Sequence, residues 1–163
     1  MKKYKTGFYG GKFIPFHKGH YFCIETAARE CEKLFVILFV NSVEEENILK
    51  EYKDYFLSQE YRCSAIKNAC NKFQNVFVCS LDIGKLRDDQ GEEDWQAEVP
   101  LIIEITGKFD VIYSSEISYD NFFRENYPWA EHRIIDAERK NIPISATKIR
   151  QMKNDKEKQQ WII

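Results

Sequence analysis

Seven consecutive apolar residues, Leu34-Phe35-Val36-Ile37-Leu38-Phe39-Val40, constrain this chain more than any other stretch. A strand with one wet face alternates apolar and polar side chains. An uninterrupted run needs cover on both faces, as in a parallel sheet sandwiched by helices. The rest of the sequence supplies the other strands and the crossovers. Strands are expected at Lys5–Gly10, Val76–Cys79, Asp110–Ser114 and His132–Ile135. Helical spacing falls at Gly19–Lys33, Leu57–Phe73, Trp95–Thr106 and Ser145–Met152. Pro100 restricts where the third of these helices begins, or bends it. Strand–helix alternation of this kind predicts an α/β, doubly wound parallel sheet of about five strands. Ligands of such sheets bind beyond the carboxyl ends of the strands, where the strand order reverses.

Bulk properties narrow the classes further. With 163 residues the chain is expected to be a single domain, 1–163, with a sizeable core. A net charge of −2 argues against nucleic acid as a partner. No apolar run approaches membrane-span length, and Lys2 and Lys3 have no apolar signal region behind them. Five cysteines, odd in number and scattered, read as reduced thiols of a cytoplasmic protein. The polar, acidic stretch Leu81–Asp94 reads first as a solvated loop and second as a lid over a substrate.

Two strings carry chemistry. Gly10-Gly11-Lys12-Phe13-Ile14-Pro15-Phe16-His17-Lys18-Gly19-His20 joins the first strand to the first helix. Residues three apart at a helix start share a face, so His17 and His20 should project together. The unpaired N–H groups and the dipole of a helix start attract anions, and Gly19 would let a ligand come close. A zinc site is disfavoured, because His132 is the only other histidine and no zinc-binding motif is present. The second string is Ile144-Ser145-Ala146-Thr147-Lys148-Ile149-Arg150. Ser145 is expected to cap a helix whose first turn carries Thr147, with Lys148 and Arg150 near the same end. Cations there oppose the dipole unless an anionic ligand offsets them. Two helix starts converging on one polyphosphate is the combined expectation. No activated nucleophile is visible, which suits phosphoryl or nucleotidyl transfer.

With both strings in view, the chain resembles the nucleotidyltransferase superfamily that carries His-x-Gly-His and Ile-Ser-x-Thr-x-x-Arg motifs. Within it the chain is similar to the nicotinamide mononucleotide (NMN) adenylyltransferase domain of NadR-type bifunctional proteins. Further likenesses are Ser114-Ser115-Glu116, the spacing of Asp136 and Arg139, and Trp95 after the acidic loop. The resemblance implies a Rossmann-like fold and the reaction of ATP with NMN to give NAD and pyrophosphate. It implies that His17, His20, Lys12 and Arg150 are catalytic. The implied ATP site is Gly10, Gly11, Lys12, Phe13, His17, His20, Arg139, Ser145, Thr147, Lys148 and Arg150. The implied acceptor site is Trp95, Asn41 and Ser115, with Trp95 stacked on nicotinamide; as a bare residue, Trp95 reads equally as a packing aromatic. Mg²⁺ would arrive with ATP and take few protein ligands. A homo-oligomer remains open, as does a ribosylnicotinamide kinase in a longer chain or as a partner.

Some features depart from that group. No Gly-x-x-x-x-Gly-Lys-Ser/Thr loop of a kinase is present, and no DNA-binding helix-turn-helix precedes Met1. Ile14 stands where many superfamily members carry an acid, which the NadR-like group also lacks. Phosphopantetheine adenylyltransferases, cytidylyltransferases for glycerol phosphate or choline phosphate, and a catalytically weak nucleotide sensor remain as rival readings.

Overall fold

The computed structural model describes residues 1–163. Five strands form one sheet: β1 Tyr4–Gly11, β2 Cys31–Val40, β3 Val76–Asp82, β4 Val111–Ser114 and β5 Glu131–Ile134. Their order is β3-β2-β1-β4-β5 and every pairing is parallel. The chain winds outward from β1 to β3, then crosses back to β4 on the other side of β1. The order therefore reverses between β1 and β4, and that crevice is where a ligand is expected. The doubly wound architecture of five strands matches the expectation from the sequence.

Seven helices connect and flank the strands: α1 Lys18–Glu30, α2 Ser42–Tyr52, α3 Gln59–Cys70, α4 Trp95–Thr106, α5 Asp120–Asn126, α6 Ala146–Gln151 and α7 Asp155–Gln159. Strand β2 shows why its apolar run is unbroken. Leu34, Val36, Leu38 and Val40 join Ile24 and Ala27 of α1 and Ile66 of α3 in one core. Ile37 points the other way, into a second core with Ile102 of α4, and Phe39 packs there too. Each fully buried aliphatic side chain contributes about 1.5–3 kcal/mol.

Two local outcomes differ from the sequence reading. Helix α1 stops at Glu30 rather than running to Lys33, and Cys31 begins β2 directly. The Asn75 amide donates to the carbonyls of Ala28 and Cys31, and the Lys2 ammonium also donates to Ala28. Those side chains take carbonyls at the helix end and release the chain into the strand. Helix α2 has no counterpart in the apolar pattern, because its buried residue is Glu45. That carboxylate is ion-paired with Arg62, a fully buried side chain of α3. A polar contact anchors this helix where periodicity looks for an apolar stripe.

Candidate active site

Two cavities adjoin at the carboxyl ends of β1 and β4. One, of about 270 Å³, is lined mainly by polar residues and glycines and contains His17, His20, Arg139, Ser145 and Thr147. The other, of about 260 Å³, is walled by Phe8, Phe39, Trp95, Tyr119, Phe122 and Tyr127. Gly10, Gly11, Lys12, Ser114 and Tyr119 line both. Both glycines are needed for packing. A Cβ on Gly10 would lie 2.5 Å from the Phe39 ring, and one on Gly11 2.9 Å from the Phe13 ring. Phe13 itself adopts a left-handed backbone, φ 52°, a strained conformation for a non-glycine residue.

The histidines are held by the helix they begin. His17 is the N-cap of α1; its Nδ1 accepts the Gly19 N–H at 2.9 Å, and His20 Nδ1 accepts the His17 N–H at 3.2 Å. The two rings stack with centroids 3.7 Å apart. A ring nitrogen that accepts cannot carry the proton, so in both neutral rings the proton sits on Nε2. Burial, with Arg139 nearby, lowers the His17 pKa to about 3. Burial, His17 and Arg139 push His20 well below the ordinary histidine value. The cavity therefore holds two neutral imidazoles whose Nε2–H groups are unused by the cap.

One expectation is corrected here, and one gains a second reason. The start of α1 is less open to an anion than an isolated helix end, because Lys18 N–H donates to the Trp161 carbonyl and Gly19 N–H to His17. Gly19 lines the cavity and also makes room for the His17 ring: a Cβ there would lie 2.7 Å from His17 Cε1.

The far wall comes from the segment before α6. Asp136, also left-handed at φ 52°, accepts the N–H groups of Lys140, Asn141 and Ile142. Burial opposes its charge, but these bonds outweigh burial and lower its pKa. The loop so formed holds Arg139, whose guanidinium donates to the Ile144 carbonyl and to Glu116 Oε1 at 3.1 Å. Ser145 caps α6 by accepting the Lys148 N–H, as its position suggested. Lys148 and Arg150 are placed otherwise than expected. The helix has six residues, so both lie in its last turn, where cations are favoured by the dipole. Lys148 is exposed. Arg150 stands behind the lining and donates to the Ile14 carbonyl and Thr147 Oγ1. The cations that line this cavity are Arg139 and, at the shared rim, Lys12.

The aromatic cavity depends on the acidic loop. That loop is solvated at Asp88–Glu92, as expected, and is drawn into a tight turn. Asp88 Oδ1 accepts the Gln90 and Glu92 N–H groups, and Ile83 is fully buried. The turn delivers Glu93 to Lys12, whose ammonium lies 2.6 Å from Glu44 and 3.1 Å from Glu93. Burial works against the Lys12 charge, but Glu44 and Glu93 outweigh it and raise its pKa. Asp94 then caps α4, and Trp95 sits edge-on to Tyr119 and Phe122. Behind Trp95, Glu98 is buried against Glu93. Burial and that neighbour push its pKa up to about 9. Burial opposes the Glu93 charge, while Glu98, Lys12 and Trp95 favour it, and its pKa falls. The pair thus holds one proton, on Glu98. Of the other expected acceptor residues, Ser115 lines the histidine cavity. Asn41 lines neither; it is buried as the cap of α2, where its Oδ1 accepts the Glu44 N–H and an Arg87 N–H.

The family model described as cytidylyltransferase-like matches residues 8–152, which span both cavities. The chain belongs to the cytidylyltransferase-like family. Among relatives it is 32% identical over 122 residues to a nicotinamide-nucleotide adenylyltransferase of Methanolobus tindarius. That match covers 75% of this chain and 63% of the relative. Among solved structures, a NadR protein in complex with NAD and AMP-PNP aligns over 99% of this chain and 45% of its own, with a TM-score of 0.65 and 22% identity. A bifunctional NMN adenylyltransferase/ADP ribose pyrophosphatase from Francisella tularensis, complexed with AMP and a manganese ion, covers 91% of this chain and 41% of its own. Its TM-score is 0.60 and its identity 22%. The chain thus spans less than half the length of those solved chains.

Several residues of this cytidylyltransferase-like site escape sequence reasoning. Ser114 Oγ lies 2.6 Å from His132 Nε2, and His132 Nδ1 lies 2.9 Å from Asp120 Oδ1. With Asp120 accepting from Nδ1–H, Nε2 accepts the hydrogen bond of the Ser114 hydroxyl. Ser114 also accepts the Glu116 N–H, so its hydroxyl is fixed at the rim of both cavities. His132 belongs to β5 and Asp120 to α5, and no local spacing signals their meeting. Glu93 and Glu98 had a weak signal, since acids flank Trp95. No helix is long and apolar enough to cross a membrane.

Proposed function

We propose that the chain is an adenylyltransferase that joins ATP to NMN, forming NAD and releasing pyrophosphate. The observation that carries this reading is the shared rim. A polar cavity with paired imidazoles and an aromatic cavity with Trp95 meet over Gly10, Gly11, Lys12 and Ser114. A triphosphate in the first and a nucleotide ring in the second would bring their phosphates together at Lys12. The likeness to the Methanolobus enzyme points to NMN as the acceptor.

The chemistry needs little proton transfer. An NMN phosphate oxygen attacks the ATP α-phosphorus in line. The bond from that phosphorus to the bridging oxygen breaks, and its electron pair leaves with pyrophosphate. Charge grows on the α-phosphoryl oxygens and the bridge, so positioned donors lower the barrier. The Nε2–H groups of His17 and His20 are such donors, already oriented by their own backbone. Arg139 adds the positive charge that draws in the triphosphate and holds the leaving pyrophosphate. Lys12, at the shared rim, would exchange Glu44 and Glu93 for the two phosphates as they approach. No three histidine, cysteine or acidic side chains cluster to hold a metal, and Asp136 is committed to backbone N–H groups. Such a donor set fits a Mg²⁺ ion held by the triphosphate and water, which would offset phosphate charge.

Pyrophosphate release tests this directly. NMN, nicotinate mononucleotide, phosphopantetheine and glycerol phosphate are each offered with ATP and with CTP. Turnover with ATP and NMN is expected. Turnover confined to CTP, or to another acceptor, overturns the assignment.

A further inference from the structure

We propose that Glu98 selects the ring substituent of the acceptor, so that the aromatic cavity takes a pyridinium bearing a carboxamide over one bearing a carboxylate. This rests on the acceptor reading above. Glu98 lines the cavity beside Trp95 and is only 7% exposed. Its Oε1 is buried without any hydrogen-bond partner in the chain. A buried polar atom left unpaired is costly and rare, so an oxygen of this kind in a ligand cavity calls for a donor from the ligand.

The neighbouring charges say which donor. Glu98 faces Glu93, and the pair shares one proton, raising the pKa of Glu98 and lowering that of Glu93. With that proton between the two carboxyl groups, one Glu98 oxygen is left as a pure acceptor, and we take the unpartnered Oε1 to be that oxygen. The cation acting on the pair, Lys12, is already divided between Glu44 and Glu93. Asp94 adds a further negative charge nearby. A carboxamide brings an N–H to Oε1 and no charge. A ring carboxylate brings only lone pairs to an acceptor and a negative charge to an acidic wall. Sites built to bond a substrate N–H discriminate strongly against analogues that lack it.

The test is the ratio of kcat/KM for NMN over nicotinate mononucleotide, read by pyrophosphate release. Wild type should favour NMN. Glu98→Met keeps length and removes both oxygens, and should narrow the ratio at least tenfold. Glu98→Gln mimics the neutral acid, with its N–H toward Glu93 and its carbonyl free, and should keep the ratio within about threefold. If the methionine variant does not fold, Glu98→Ala gives the same reading. A folded Met or Ala variant with the wild-type ratio overturns the proposal and leaves the adenylyltransferase reading intact. Wild type that turns over neither acceptor overturns both.

Discussion

The histidine cavity and the aromatic cavity share a rim but were built in different ways. His17, Gly19 and His20 form one local unit in which each imidazole caps the backbone of the other's turn. The aromatic cavity is assembled from β1, β2, the acidic turn, α4, β4 and α5. Local units write themselves into short motifs. Assembled walls do not, because each contributes one or two ordinary residues. The cavities also store protons in opposite ways: the first keeps bases neutral, the second keeps an acid neutral. The proposed function assigns chemistry to the first and acceptor choice to the second, and that division can be broken by experiment.

The largest effect should come from the histidines. His20→Ala removes a donor from the developing charge and should lower kcat by about a hundredfold or more, as loss of one such donor costs about 3–4 kcal/mol. The KM for NMN should change little. A folded variant with near-normal kcat would take His20 out of the chemistry.

Arg139 should come next. Loss of a charge-assisted hydrogen bond costs about 1.5–3 kcal/mol, so Arg139→Ala should raise the KM for ATP by about tenfold or more. Lysine at this position should rescue only in part, since it lacks the planar fork. Arg150→Ala should have the smaller effect on ATP, because its guanidinium is spent on Ile14 and Thr147. The reverse order would mean that the loop before α6 rearranges when ATP binds.

That contrast shows how much was legible. The parallel sheet, the histidine turn and the cap at Ser145 follow from apolar runs and helix-start chemistry. Arg139 was visible only through family likeness, since its position depends on the left-handed turn at Asp136. Helix α2 was hidden because a buried ion pair, Arg62 with Glu45, replaces an apolar stripe. Asn41 lies outside both cavities, because an asparagine near a strand end serves equally well as a helix cap. The chain Ser114–His132–Asp120 joins three elements, so no window of sequence contains it.

Trp95 separates the cavities more gently. Stacking adds about 0.5–1.5 kcal/mol, and attraction of the pyridinium to the ring adds more. Trp95→Ala should weaken NMN binding about tenfold and leave ATP nearly unchanged. Tryptophan fluorescence during NMN titration reads this, with Trp129 and Trp161 as background. Equal losses for both ligands would mean that Trp95 packs the site instead.

The smallest effect is on stability, and its sign differs between the cavities. His17 and His20 have lowered pKa values, so the unfolded chain takes up their protons first. Their contribution is complete above about pH 6.5, the ordinary histidine value, and fades as pH falls toward 3. Glu98 has a raised pKa, so its contribution is complete below the ordinary carboxyl range and is lost as pH rises toward 9. Each proton changes stability by at most about 1.4 kcal/mol per pH unit, or about 3–5 °C in Tm for a chain of this size. The histidine slope fades between pH 6.5 and about 7.5, and unfolded cysteines begin to add a downward slope as pH nears 8, because burial raises the pKa of Cys23, Cys31, Cys70 and Cys79 in the folded chain. Glu98 should then contribute to a shallow decline, which Glu98→Gln should lessen. Below pH 6.5 two histidines oppose one acid, so Tm should fall with acid, and Glu98→Gln should steepen that fall. His20→Gln should make the same limb shallower. Thermal scans from pH 5 to 8 on the three proteins give the comparison. A wild-type curve that rises from pH 6.5 to 8, or a Glu98→Gln curve parallel to it, would mean that Glu98 is ionised and that the two cavities do not differ in this way.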